Sequence, residues 1–157
     1  MRTINCIVVH CSATREDHVL TPEMLEDIHR RRGFRGIGYH YYIRKDRTTV
    51  GTRPIELVGA HARRHNAHSI GICYEGGLDA EGHPKDTRTP EQRAALRLLV
   101  AQLLKRFRGS YVCGHRDLSP DLNGDGIVEP EEWVKQCPCF DAAEILSEAV
   151  PEMPVYR

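Results

Sequence analysis

The chain has 157 residues, of which 40% are hydrophobic and 28% charged, and its formal net charge is zero. That length fits one domain able to bury its own core without disulfide staples. Balanced charge gives no global field toward nucleic acid or an acidic membrane, and no apolar run is long enough to span a bilayer, so neither a nucleic-acid partner nor membrane insertion is expected.

Residues 4–11 are β-rich and apolar on both faces, the pattern of a central strand, and they place His10 at its C-terminal end. The first ten residues lack the apolar core and small-residue cleavage site of a secretory signal, so cytoplasmic synthesis with free thiols is expected. Cys6, Cys11, Cys73 and Cys113 lie in or beside apolar runs and read as small buried hydrophobes. Thr21-Pro22-Glu23 starts a helix with Met24, Leu25 and Ile28 on one face, ending near Gly33. The run Arg30-Arg31-Arg32 suits the cation-favouring end of that helix. Residues 36–44 are a second strand, and residues 48–50 its hairpin partner. Residues 69–74 form another buried strand, and residues 78–88 a loop. Thr89-Pro90-Glu91 starts a second helix, with Leu96, Leu99, Val100, Leu103, Leu104 and Phe107 at helical spacing before Gly109. Residues 110–113 are a short strand leading to His115, residues 131–134 a helical stretch, and residues 141–150 a last helix. The expectation is an α/β fold: one domain over residues 1–150 with a mixed central β-sheet flanked by α-helices, and a tail at residues 151–157.

His10, His115 and Cys137 are two imidazoles and a thiol at the ends of apolar elements. Catalytic zinc takes three such protein ligands and leaves a fourth position for water. A structural zinc would add Cys139, but C-P-C is tighter than the usual C-x₂₋₄-C spacing. Tyr39, next to His40, is placed to orient a water or donate a proton. Lys135, two residues from Cys137, is placed to stabilise an oxyanion.

Six stretches carry a family resemblance: V-V-H-C-S-A-T (residues 8–14), G-Y-H-Y-Y-I (38–43), G-A-H-A-R (59–63), N-A-H-S-I-G-I (66–72), G-H-R-D-L (114–118) and K-Q-C-P-C-F (135–140). In this order they resemble the zinc-dependent N-acetylmuramoyl-L-alanine amidases of type 2, which include T7-type phage lysozymes and peptidoglycan recognition proteins. The likeness runs from about residue 4 to residue 145. Separately, a monomer is expected; the likeness implies cleavage of the amide between N-acetylmuramic acid and L-alanine in peptidoglycan or a muropeptide. It implies Zn²⁺ on His10, His115 and Cys137, with Tyr39 and Lys135 catalytic and His61 lining the cleft. Asn66 and Ser69 match a pattern that positions a loop. A phage or prophage endolysin, made in the cytoplasm and released to the wall, is the leading reading. A non-catalytic peptidoglycan-binding module and an intracellular wall-recycling amidase are the alternatives. The first generally lacks the ligand cysteine, and the second typically has aspartate there.

The chain departs from the family between His115 and Lys135. The insertion D-L-N-G-D-G-I-V-E-P-E-E, residues 121–132, follows the calcium-loop pattern of EF-hand or dockerin type. Asp121, Asn123 and Asp125 stand at positions one, three and five, Gly126 at the turn, and Glu132 at position twelve. Asp-Asn-Gly runs also make ordinary turns, so a metal-free turn is the alternative; Ca²⁺, if bound there, is expected to order the segment presenting Lys135 and Cys137.

Overall fold

The computed structural model describes residues 2–147. A five-stranded sheet runs in the order β4-β3-β5-β1-β7, built from β1 (Cys6–Cys11), β3 (Tyr41–Ile43), β4 (Thr49–Gly51), β5 (Ser69–Tyr74) and β7 (Tyr111–Gly114). β1 pairs in parallel with β5 and β7, and β3 in parallel with β5; the edge strand β4 is antiparallel to β3. The sheet is therefore mixed, as expected from a hairpin inside a β/α alternation. A small parallel pair, β2 (Thr14–Arg15) with β6 (Gly77–Leu78), continues the chain beyond β1 and β5. Leu78 of this pair falls in the stretch expected as loop, because two-residue strands carry no periodic signal.

Alternation along β1 and β5 assigns their faces. Ile7 and Val9 of β1, with Ile70, Ile72 and Tyr74 of β5, join Leu96, Leu99, Val100 and Leu103 of helix α2 (Pro90–Arg106) in the main core. Cys6, Val8 and His10 of β1, with Ser69, Gly71 and Cys73 of β5, occupy the other face. There Cys73 packs with Tyr42 and with Leu25 of helix α1 (Pro22–Arg31). One face is thus filled with branched and aromatic side chains, while the other is lined by small ones beside His10. The described cysteines are all free thiols, and Cys6, Cys11, Cys73 and Cys113 are buried.

Both Thr-Pro-Glu starts cap their helices. The Thr21 hydroxyl accepts from the Met24 amide, and Thr89 and Gln92 form a reciprocal capping box. The apolar face expected on α1 is corrected: Leu25 and His29 are buried, whereas Met24 and Ile28 are 49% and 43% exposed. Ile28 borders an open groove, so its side chain covers no core. The strand expected at residues 36–44 contracts to Tyr41–Ile43. The helical stretch at residues 131–134 is a 3₁₀ turn, Pro130–Glu132. The final helix expected at residues 141–150 is a 3₁₀ turn at Ala142–Glu144; residues 148–150 of that expectation lie outside the described residues. No helix among the described residues is long and apolar enough to cross a membrane.

Candidate active site

The C-terminal ends of neighbouring strands β1 and β7 open onto a groove of about 1250 Å³. Ends of this kind are where α/β sheets place their ligands. His10, the penultimate residue of β1, is 1% exposed. His115 begins the 3₁₀ turn that follows β7, whose Asp117 carboxylate accepts the Gly114 amide at 2.7 Å. Cys137 arrives from the far end of the described chain and is pinned through its backbone. Its carbonyl accepts the Arg116 amide at 2.8 Å, the neighbouring Pro138 carbonyl accepts the Tyr74 hydroxyl at 2.6 Å, and Pro138 covers Gly114 so closely that a Cβ there would meet it at 2.5 Å.

One ligand atom from each of His10, His115 and Cys137 lies within 4.8 Å of the other two, the only such group of three or more His, Cys, Asp or Glu among the described residues. Two imidazoles and a sulfur at this spacing fit the donor set of zinc. The sulfur also accepts the Cys11 amide N–H at 3.1 Å. Burial holds the His10 pKa well below its usual value, with His61, His115 and Lys135 adding to the effect; burial and Lys135 likewise lower that of His115. Both rings are therefore neutral near pH 7, as metal ligation requires. Cys139 is not a fourth ligand, because its thiol turns away to donate to the Gly77 carbonyl. Contact with Cys137 pushes the Cys11 thiol up to about 12, so it stays protonated.

Tyr39 precedes β3 and stands over the same centre, its ring centroid 5.0 Å from that of His10. Its carbonyl accepts the Thr52 hydroxyl at 2.7 Å, and the amide before it, on Gly38, donates to His29 Nδ1 at 2.9 Å. Burial first, then the neighbouring cysteine sulfurs, raise its pKa well above 10, so it remains a phenol. Lys135 is exposed and lines the groove beside Val134 and Cys137. His61 lines the groove too, and it also touches His10: its Nδ1 lies 2.8 Å from His10 Nε2. Burial, then His40 and His115, lower the His61 pKa to about 3. Asn66 Oδ1 accepts the His61 and Ala62 amides, both at 2.9 Å, and so shapes the loop as its sequence pattern suggested.

Arg32, Arg63 and Arg64, which the sequence did not single out as site residues, join Lys135 along the groove, whose lining among the described residues contains no Asp or Glu. Arg30 and Arg31 pair instead with Glu26 and Asp27, one turn back on the helix. A run of arginines in sequence carries no sign of which member faces a cleft.

The inserted loop folds on itself. Asp121 accepts the amides of Gly124 and Gly126, and the buried Glu132 accepts those of Leu122, Asn123 and Glu129. Asp125 accepts from Ile127, and the Asn123 side-chain amide donates to Glu129. Asp121, Asp125 and Glu132 do not converge as closely as His10, His115 and Cys137.

The family model described as N-acetylmuramoyl-L-alanine amidase matches residues 1–138. An endolysin of Klebsiella phage KP32 is 35% identical over 135 residues, covering 86% of this chain and 80% of that protein. The solved N-acetylmuramoyl-L-alanine amidase LysC from Clostridium intestinale superposes with a TM-score of 0.67 at 32% identity, over 87% of this chain and 77% of that one. Bumblebee PGRP-SA, 17% identical, shares the fold with a TM-score of 0.70 over 98% of this chain and 86% of its own.

Proposed function

Since the chain belongs to the N-acetylmuramoyl-L-alanine amidase family, we propose that it works as an endolysin, a zinc-dependent peptidoglycan hydrolase made in the cytoplasm and acting on the wall once released. The reaction is hydrolysis of the amide between the lactyl group of N-acetylmuramic acid and L-alanine of the stem peptide. The observation that carries the metal reading is the convergence of His10, His115 and Cys137 within 4.8 Å at the groove. Zinc, when bound there, supplies Lewis acidity that polarises the amide carbonyl and acidifies a water. Tyr39, a neutral phenol, holds the attacking water or the departing nitrogen in line. The water oxygen adds to the carbonyl carbon, the C–N bond breaks, the carboxylate stays on the muramic acid, and the proton leaves with the alanine nitrogen. Lys135 places its ammonium where negative charge develops on the carbonyl oxygen. The ligand cysteine favours catalysis over a binding module, and it also separates this chain from the recycling branch.

Among the described residues, Arg32, Arg63, Arg64 and Lys135 line the groove with no acid beside them, which suits a stem peptide that carries free carboxylates. Mass analysis of digested peptidoglycan tests the reaction. Lactyl-ended glycans with stem peptides beginning at L-alanine are expected, and intact sacculi after incubation with zinc-loaded protein would refute it.

For the inserted loop, calcium is the proposed occupant. Support comes from the Asp-Asn-Asp spacing and from Gly124 and Gly126, which take left-handed φ angles of 74° and 85° at positions four and six. Calcium added to chelator-treated, zinc-reloaded protein is expected to raise Tm; an unchanged Tm sinks the idea.

A further inference from the structure

His61 is held more tightly than a cleft-lining residue needs to be. Its ring lies against β5, where a Cβ on Gly71 would meet it at 2.6 Å, and against the loop, where a Cβ on Gly59 would meet it at 2.7 Å. Both ring nitrogens have partners: Nδ1 faces His10 Nε2 at 2.8 Å, and Nε2 faces the hydroxyl of buried Ser69 at 3.3 Å. The loop carrying it is fixed independently. Arg2 donates to the Ile55 carbonyl at one end and to the Asn66 and Ser69 carbonyls at the other.

These contacts fix protons as well as positions. With His10 Nε2 turned to His61, the nitrogen of His10 left for the metal is Nδ1. A His10 ligating through Nδ1 carries its proton on Nε2 and donates it to His61 Nδ1. That nitrogen must then be bare, so the His61 proton sits on Nε2 and is donated to Ser69 Oγ. We propose that His61, backed by Ser69, is a positioning residue that locks His10 in the ring orientation and tautomer presenting Nδ1 to zinc. Outer-shell partners of this kind typically change metal affinity by about 10- to 100-fold when removed. The inference rests on the zinc reading above and adds a role for side chains that do not touch the metal.

The test measures zinc affinity by competition with a chromogenic chelator, and the visible spectrum of the cobalt(II)-substituted protein, with apo-protein Tm recorded for each variant. His61→Ala is expected to weaken zinc binding by about 10- to 100-fold and to shift the cobalt bands. His61→Asn, whose side-chain oxygen falls near the Nδ1 position, is expected to recover most of the affinity. His61→Leu fills the cradle but offers no acceptor and is expected to recover none. A purely structural role predicts the reverse order, with Leu at least as good as Asn, and that result overturns the proposal. Wild-type affinity and an unshifted spectrum in folded His61→Ala also overturn it. If His61→Ala does not fold, Ser69→Ala decides: a few-fold loss of affinity supports the chain of contacts, and unchanged affinity and spectrum overturn it. Wild-type protein that takes up no zinc refutes the metal reading itself, a distinct outcome because it needs no variant.

Discussion

Cys137 is the residue on which the site turns. Its sulfur is the one donor of the three suited to bind as an anion, and the Cys11 amide already points at it. Cys137→Ser is expected to lose bound zinc, read by metal analysis after dialysis, with the apo fold intact by circular dichroism. Tyr39→Phe removes only the hydroxyl over the centre. It should lower kcat by about 10²- to 10⁴-fold with zinc content unchanged, in the range of a lost acid–base or water-orienting group. Lys135→Ala should cost about 10²- to 10³-fold in kcat, as for a lost oxyanion donor, with little effect on Tm because the side chain is exposed. His10, His115 and Cys137 were legible as a candidate set because ligand chemistry narrows the residue types, and for the two histidines because apolar runs mark where strands end. The contact of His61 with His10 was not, since it joins residues 51 apart through a loop with no periodicity. Its trace lies in β5, where Ser69, Gly71 and Cys73 alternate with Ile70, Ile72 and Tyr74, leaving one face too small to fill itself.

At the level of elements, α2 is tied to the sheet through its first turn. Gln92 is fully buried; its oxygen accepts the Thr89 amide, and its nitrogen donates to the Glu75 carbonyl at 2.9 Å and the Ile43 carbonyl at 3.3 Å. Gln92→Ala orphans these groups and should destabilise by about 2 kcal/mol or more in chemical denaturation. Thr89→Ala removes only a cap and should cost about 1 kcal/mol. The Thr-Pro-Glu signal and the 3.6-residue apolar period made this helix readable. Helix α1 was only half readable, because Ile28 obeys the same period yet borders a groove. The 3₁₀ turn at Ala142–Glu144 was overcalled as helix, since propensity alone does not say where packing stops supporting a further turn.

For the molecule as a whole, His10, His29, His40, His61 and His115 all have pKa values lowered, burial being the largest cause in each. Unfolded, each would titrate near about 6.5. Below that pH the unfolded chain binds more protons than the folded one, so stability falls as the pH drops from about 6.5 toward the folded-state values. Apo-protein Tm is therefore expected to decline steadily from pH 7 to pH 5, and a flat profile would contradict it. The mixed sheet and its flanking helices were readable from the alternation of strand and helix patterns. The cationic groove was not, because it gathers Arg32 from the end of α1, Arg63 and Arg64 from one loop, and Lys135 from the segment before Cys137.

The Cys11 amide meets the Cys137 sulfur across 126 positions of the chain. A ribosome makes Cys137 only after every strand of the main sheet, so His10, His115 and Cys137 cannot come together on a nascent chain that stops short of residue 137. A fragment cut between β7 and Cys137 therefore keeps all five strands of the main sheet but not the three-residue donor set, and on the zinc reading it is expected to be inactive.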